Sequence, residues 1–169
     1  ARSGTATSRI VFSAYPGDEC VTTASLDKVC RVFIDGQNVR PTATIDTDYI
    51  AIRGVEILNS SIHGVRIIGD NVEVRDSHIH HNTEDGVSAT KNTTIDNNYI
   101  HSHAGRHPDG IHYAAGSVTA QSVTITNNKI GDSAQQIGID PFGGPSGMQT
   151  IRNLTIRGNV LYETNPLFS

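Results

Sequence analysis

The sequence predicts an all-β fold, namely a single-stranded parallel β-helix (a solenoid) of about six to seven coils. The composition favours strands, because Ile and Val together number 32 residues whereas Leu and Met together number 6, and β-branched residues are enriched in strands. The chain also repeats itself about every 22 residues, and no repeat contains a long stretch with the apolar spacing of a helix. One repeat cannot bury its own apolar residues, so the repeats must stack on one another.

The repeat is visible in five segments that align without gaps. These are YIAIRGVEI, NVEVRDSHI, NTTIDNNYI, SVTITNNKI and NLTIRGNVL. A shorter strand follows four of them, with an apolar residue in register at Val65, Val87, Ile111 and Ile139. Because the apolar residues of a segment recur at every second position, they point to the same side of the strand. We therefore expect three inward-facing apolar columns.

The bend between the first two strands of each repeat carries a further column, which is mostly polar. Its members are Val55, Ser77, Asn98, Asn128 and Asn159. A buried Asn at a repeated bend can hydrogen-bond through its amide to the coils above and below. We therefore predict an asparagine ladder along this edge of the stack.

The N-terminal part of the chain resembles the first coils of secreted polysaccharide lyases, through the segments SGTATSRIVFSAYPGDE, VFIDG and IAIRGVEI. Together with the ladder and the three-sheeted coil, these segments are similar to the right-handed parallel β-helix proteins of the pectin-lyase-like superfamily. The resemblance implies a right-handed coil and a substrate that lies along one sheet, between its loops. It also implies that an Arg or Lys base acts beside acidic calcium ligands.

We expect one β-helix domain over 1–169, either complete or a piece of a longer β-helix. The net charge of −4 provides no basic excess for nucleic acid, and no run of about 18 apolar residues could span a membrane. Neither nucleic acid nor a membrane is therefore an expected partner. The chain should be a monomer, or an end-to-end oligomer if the ends of the stack are uncapped.

Two cysteines, Cys20 and Cys30, lie ten positions apart. This spacing suits a loop closed by a disulfide, and the alternative is a pair of buried thiols. A disulfide would imply an oxidising compartment. On that interpretation the protein is secreted or periplasmic.

The longest connections flank one sheet, over 101–108, 114–121 and 142–150. Loops on a rigid scaffold tend to carry function, so we expect a groove along this sheet. Its outward-facing positions are Arg66, Ser88, His112 and Asp140, with the last two side by side. Further polar or aromatic residues near the groove are Asp85, His101, His103, Arg106, His107, Asp109 and Phe142.

The leading hypothesis is β-elimination on a uronate-containing polysaccharide. This reaction needs a base, a proton donor and neutralisation of the sugar carboxylate. We assign the base to Arg106 or His112, and the donor to His107 or His103. Possible Ca²⁺ ligands are Asp85, Asp109 and Asp140. Substrate contacts are assigned to Arg66, Ser88, His101 and Phe142.

Two alternatives use the same surface. One is hydrolysis of a glycoside by the carboxylate pair Asp109 and Asp140. The other is a carbohydrate-binding or structural β-helix without catalysis, since a scaffold alone does not determine activity. In each case an acidic polysaccharide or another glycan is the expected partner, and Ca²⁺ is the only cofactor considered for this groove.

All 8 histidines lie between His63 and His112. His78 and His80 flank an inward-facing isoleucine, so both should point outward, with His80 stacked over His101 and His81 beside Ser102. Such a stack is either a solvent-facing polar ladder or a transition-metal site, because imidazole suits Zn, Cu and Ni. His63 precedes a glycine at a turn and is assigned no role.

Overall fold

The computed structural model describes residues 2–106, 108–114, 122–140 and 152–164, apart from the side chain of Asp140. Within these residues every regular element is a β-strand. None of them forms a helix long and apolar enough to cross a membrane. The strands follow one another as the repeat predicts, and three strands usually make one coil.

The first coil comprises β1 (Ile10–Ser13), a hairpin of β2 (Val21–Thr22) and β3 (Lys28–Val29), then β4 (Phe33–Asp35) and β5 (Ala43–Ile45). The second and third coils comprise β6 (Ile50–Arg53), β7 (Glu56–Leu58), β8 (Val65–Ile67), β9 (Val72–Arg75), β10 (His78–His80) and β11 (Val87–Ala89). The later coils comprise β12 (Thr93–Asp96), β13 (Tyr99–His101), β14 (Asp109–Ala114), β15 (Val123–Thr126), β16 (Lys129–Gly131), β17 (Gln135–Asp140), β18 (Leu154–Arg157) and β19 (Val160–Tyr162).

Corresponding strands of successive coils pair in parallel and form three sheets. Sheet A has the order β1-β6-β9-β12-β15-β18, sheet B the order β4-β7-β10-β13-β16-β19, and sheet C the order β5-β8-β11-β14-β17. Each coil therefore adds one strand to each sheet, although the described part of the sixth coil contributes only to sheets A and B. The predicted single-stranded parallel β-helix is confirmed.

The core consists of β-branched residues stacked like over like. In sheet B, Ile79 pairs with Ile57 below it and Ile100 above it, and all three are fully buried. The other two sheets supply equivalent columns of buried Ile and Val. Each such side chain stabilises the fold by about 1.5–3 kcal/mol through burial. The excess of Ile and Val in the composition is the consequence of this stacking.

The predicted register between β14 and β17 is wrong by two residues. Ile111 pairs with Ile137 rather than with Ile139, and Asp140 lies opposite Ala114 instead of beside His112. Both candidate isoleucines alternate onto the same face of β17, because side chains in a strand repeat every second residue. A shift by two residues keeps every side chain on its predicted face, so the apolar pattern could not distinguish the two registers.

From the second coil onward, each bend between sheets A and B begins with a residue in the left-handed region, such as Asn97 with φ 54° or Asn127 with φ 56°. The next residue turns its side chain inward, and from the third coil onward that side chain is polar. Asn98 donates from Nδ2 to Oδ1 of Asn128 at 3.0 Å, and Asn128 donates from Nδ2 to Oδ1 of Asn159 at 3.0 Å. Backbone N–H groups also donate to these amide oxygens, so the column satisfies buried polar groups at the bend.

A second polar column lies at the bend between sheets B and C, where the sequence analysis assigned none. Its members are Ser60, Asn82, His103 and Ser133, and all four are buried. The backbone N–H of Ser60 donates to Oδ1 of Asn82 at 2.9 Å, and that of Asn82 donates to Nδ1 of His103 at 3.4 Å. His103 thus takes the place that an asparagine occupies one coil earlier.

The hairpin β2–β3 is closed by a disulfide between Cys20 and Cys30, which confirms the predicted pairing. The hairpin reaches across the coils to sheet B. There Lys129 Nζ lies 2.7 Å from Oδ1 of Asp27 and donates to the backbone oxygen of Ser25 at 3.0 Å. The hairpin therefore forms a wall beside the outward face of sheet B.

The first coil leaves part of its interior open. Phe12 and Ile34 point in the same direction as the buried residues stacked above them, yet Phe12 is 61% exposed and Ile34 38% exposed. With other apolar side chains of the first two coils they line a cleft of about 650 Å³. Within the described residues, this end of the apolar stack is uncapped.

Candidate functional site

A cluster of two aspartates and two histidines lies at the edge of sheet C, where its strands begin. Asp85 and Asp109 occupy the same place in successive coils, and each is followed by a glycine. A Cβ at Gly86 would lie 2.5 Å from Nε2 of His103 and 2.6 Å from the backbone oxygen of Gly110. Only glycine fits where the backbone passes so close to these atoms. The glycine therefore fixes the position of the aspartate that precedes it.

The other three residues of the cluster contact the carboxylate of Asp85. Its Oδ2 lies 3.2 Å from Nδ1 of His63 and 3.4 Å from Nδ1 of His112, and its Oδ1 accepts the backbone N–H of Asp109 at 3.1 Å. Oδ2 of Asp109 lies 3.6 Å from the same Nδ1 of His112. Asp85 is only 3% exposed, so this carboxylate is held by protein groups rather than by bulk water.

The groups around Asp85 determine its charge. Burial by itself raises the pKa of this carboxyl, but the nearby rings of His112 and His63 and the hydrogen bond from the backbone N–H of Asp109 outweigh that effect. They hold the pKa of Asp85 well below its usual range. The cluster therefore contains a buried anion that faces two imidazole rings.

His112 is the member of the cluster that also faces outward, with a side chain that is 35% exposed. Its Nδ1 lies between the two carboxylates, which favours a proton on Nδ1 and directs Nε2 to the opposite side of the ring. A carboxylate behind an imidazole stabilises the positive charge that the ring acquires when Nε2 accepts a proton. The arrangement is therefore suited to general-base chemistry.

One donor atom from each of Asp85, Asp109 and His112 lies within 4.8 Å of the others. Calcium takes six to eight oxygen ligands in proteins, whereas this set combines two carboxylates with an imidazole. The carboxylate of Asp85 moreover already faces three N–H donors. The described side chains do not supply a calcium site by themselves, and the Ca²⁺ assignment stays a prediction.

Three other predicted site residues, Arg66, Ser88 and Arg106, lie on the surface of the molecule. Arg66, Ser88 and His112 pair across successive strands of sheet C, so they form one outward column. Arg106 is exposed on the loop that precedes β14. Among the described residues, no hydrogen bond or ion pair joins Arg106 to the cluster.

Two predicted site residues lie elsewhere. His103 is 2% exposed inside the second polar column, because the bend after β13 turns its side chain inward; its assignment as an accessible proton donor is wrong. His101 belongs to β13 and faces outward from sheet B, because strand alternation places it opposite the inward-facing Ile100. Its assignment to a groove on sheet C is therefore also wrong.

Some assignments fall outside the described residues, and one residue was missed. His107 and Phe142 lie outside the described part of the chain, as does the side chain of Asp140. His63, which was assigned no role, contacts Asp85. The signal for it was available, because His63 precedes Gly64 in the same way that Asp85 precedes Gly86 and Asp109 precedes Gly110.

A second group of histidines lies on the outward face of sheet B. Nε2 of His78 lies 2.8 Å from Nε2 of His101, and the ring of His80 stacks on that of His101 with centroids 5.3 Å apart. The predicted stacking of His80 on His101 is confirmed. Burial is the main cause that lowers the pKa of His78 to about 3 and that of His101 to about 4, so both rings are neutral at ordinary pH.

Comparison with known proteins identifies the family. Residues 33–166 match the model of the family described as right handed beta helix region, whereas no curated protein matches the sequence. The crystal structure of pectate lyase Pel9A is similar at 14% identity with a TM-score of 0.46. That match covers 95% of this chain but 47% of the other, so the chain spans about half of its length. This chain therefore belongs to the right-handed parallel β-helix family.

Proposed function

We propose that this chain binds an acidic polysaccharide along the outward face of sheet C and cleaves it by β-elimination, with His112 as the base. The observation that carries the proposal is the position of His112. Its Nδ1 lies 3.4 Å from Asp85 and 3.6 Å from Asp109, while part of its ring faces solvent. The two carboxylates orient the ring and stabilise the imidazolium that forms during proton transfer.

The reaction on a uronate sugar transfers one proton to His112 and another to the leaving oxygen. Nε2 of His112 accepts the proton from C5 of the sugar, and the electrons of that C–H bond form the C4–C5 double bond. The bond between C4 and the glycosidic oxygen breaks, and the leaving oxygen takes a proton from a donor. The products are an unsaturated uronate and a new sugar end.

Cations near His112 would bind the sugar carboxylates. Arg66 is exposed and lies in the same outward column, two strands away from His112. Two strand spacings amount to about 10 Å, so Arg66 would contact a neighbouring sugar rather than the reacting one. With His112 as the base, Arg106, which the sequence analysis considered for that role, becomes the candidate that binds the reacting carboxylate. His107 remains the candidate donor, because His103 is buried.

The geometry disfavours hydrolysis by Asp109 and Asp140. Asp140 pairs with Ala114, which is five residues along β14 from Asp109. Five residues of a strand span about 16 Å, whereas the two carboxyl groups of a glycosidase lie about 5–9.5 Å apart. These two aspartates are therefore too far apart to act as a catalytic pair.

An extracellular or periplasmic site of action follows from the same proposal. The disulfide between Cys20 and Cys30 belongs to a class of bond that forms and persists in oxidising compartments. We therefore propose that the protein is secreted or periplasmic.

The test is an ultraviolet assay for unsaturated uronate with pectate, alginate and glycosaminoglycans, each with and without Ca²⁺. We expect absorbance to rise with one of these polymers, and His112→Asn to lower the rate by about 10²–10⁴-fold while melting curves show that the variant is still folded. Thr124→Ala, on the outward face of sheet A, is the control and should act like the parent protein.

Four outcomes would contradict the proposal. Silence with every polymer excludes the lyase activity, and new reducing ends without ultraviolet absorbance indicate hydrolysis instead. Binding of a glycan without either product indicates a non-catalytic carbohydrate-binding module. Full activity of His112→Asn would show that another residue is the base.

A further inference from the structure

We propose that the outward face of sheet B carries a binding site for one divalent transition-metal ion, ligated by Nε2 of His78 and Nε2 of His101. The site is separate from the cluster on sheet C and does not depend on the proposed lyase activity. A third nitrogen, from His80, completes the set, because one ring nitrogen from each of the three histidines lies within 4.8 Å of the others.

The distance between the first two nitrogens is the main argument. Nε2 of His78 and Nε2 of His101 are 2.8 Å apart. Two imidazole nitrogens bound at about 2.0–2.1 Å to one ion lie about 2.9 Å apart when they are adjacent in a square plane, and about 3.3 Å apart in a tetrahedron. The observed pair is therefore already close to the separation that adjacent ligands of a square-planar ion require.

The second nitrogen of two of the rings supports the same assignment. Nδ1 of His101 lies 2.7 Å from Oγ of Ser102, and Nε2 of His80 lies 2.8 Å from Oε1 of Glu56. If these nitrogens carry the protons, Nε2 of His101 and Nδ1 of His80 have lone pairs that can bind a metal, and the ion would replace the contact of 2.5 Å that Nδ1 of His80 makes with Nδ1 of His81. Histidines that bind metal are commonly fixed in this way by a hydrogen bond from the other ring nitrogen.

The surroundings hold the rings in place. The ring of Tyr99 stacks on His78 with centroids 4.9 Å apart and on His101 with centroids 4.2 Å apart. All three ligands lie on paired strands, which hold side chains more rigidly than loops do. The cost of ordering the ligands is therefore largely met before the ion arrives.

The donor chemistry identifies the class of ion. Three neutral imidazoles suit Cu²⁺, Ni²⁺ and Zn²⁺, whereas Ca²⁺ and Mg²⁺ prefer oxygen ligands. Cu²⁺ binds nitrogen sites most tightly among the first-row divalent ions and favours a square-planar arrangement. We therefore expect the order Cu²⁺ above Ni²⁺ and Zn²⁺, with no binding of Mg²⁺.

The experiment is a calorimetric titration of the chelator-treated protein with CuSO₄, together with electron paramagnetic resonance of the Cu²⁺ complex. We expect one ion per chain, hyperfine coupling to two or three nitrogens, and a higher melting temperature. His101→Gln and, separately, His78→Gln should weaken binding by about a hundredfold or more, because changes in outer-shell partners alone cost 10–100-fold. Melting curves without metal establish that each variant is folded.

His112→Gln is the matched control, because it removes a histidine from the cluster on sheet C. It should leave the affinity for Cu²⁺ unchanged. The proposal is overturned if no stoichiometric binding is found, if both sheet B variants bind like the parent, or if His112→Gln alone abolishes binding. The last outcome would place the metal beside Asp85 and Asp109 instead.

Discussion

Lowering the pH from about 6.5 to about 4.5 is expected to destabilise this protein by about 2–3 kcal/mol through His103 alone. Burial lowers the pKa of His103 to about 3, whereas a histidine in the unfolded chain titrates near 6.5. Between these two pKa values the unfolded chain binds the proton and the folded chain does not. Above about pH 6.5, His103 therefore does not reduce the free energy of unfolding. Below that pH, the free energy of unfolding falls by about 1.4 kcal/mol for each pH unit.

The variant His103→Asn should remove this part of the acid sensitivity. An asparagine at this place has a precedent in Asn82, whose Oδ1 accepts a backbone N–H one coil earlier. We expect the free energy of unfolding to stay within about 1 kcal/mol of the parent at pH 7, and to exceed it by about 2 kcal/mol at pH 4.5. Urea denaturation at the two pH values measures both quantities.

A second histidine provides the control for this experiment. His81 is exposed and has a φ of 53°, a conformation that asparagine tolerates well. His81→Asn should therefore fold like the parent, and a loss of acid sensitivity that is specific to His103→Asn would be due to the buried ring. An equal slope against pH in the parent and in His103→Asn would show that this buried ring is not the source of the acid sensitivity. Asp85 does not mask the effect, because its titration lowers the free energy of unfolding only below about pH 4.

The sequence predicted the stack because one property repeats in every coil. Ile57, Ile79 and Ile100 recur at the same place in each copy and are buried together. This signal is strong because each repeat must bury its apolar residues against the next. The register of β17 was the exception, because alternation of side chains is compatible with any even shift.

The site was harder to predict, because adjacent residues of one short motif point in different directions. His101 faces outward from sheet B, whereas His103 turns inward after Ser102 adopts a φ of 56°. The motif HSH therefore contributes to two separate environments. Polar residue type alone does not reveal this division, and only the equivalence of His103 with Asn82 along the repeat could have indicated it.

Asn128 should contribute more to the free energy of unfolding than Asn127, the other asparagine at the same bend. Oδ1 of Asn128 accepts both the backbone N–H and the Nδ2 of Asn98, and its own Nδ2 donates to the backbone oxygen of Ile95 at 2.9 Å. Asn128→Ala leaves these buried groups without partners. At about 1–3 kcal/mol for each buried unsatisfied group, we expect a loss of roughly 3–5 kcal/mol in the free energy of unfolding.

The adjacent residue Asn127 distinguishes the hydrogen-bonded column from the turn itself. Its φ is 56°, so glycine can take its place without backbone strain, and its side chain bonds to Asp96 at an exposed position. Asn127→Gly should therefore cost less than about 1 kcal/mol by the same urea measurement. If both variants lose the same stability, the bend depends on its backbone conformation rather than on the amide column, because only Asn128→Ala removes hydrogen bonds between buried groups.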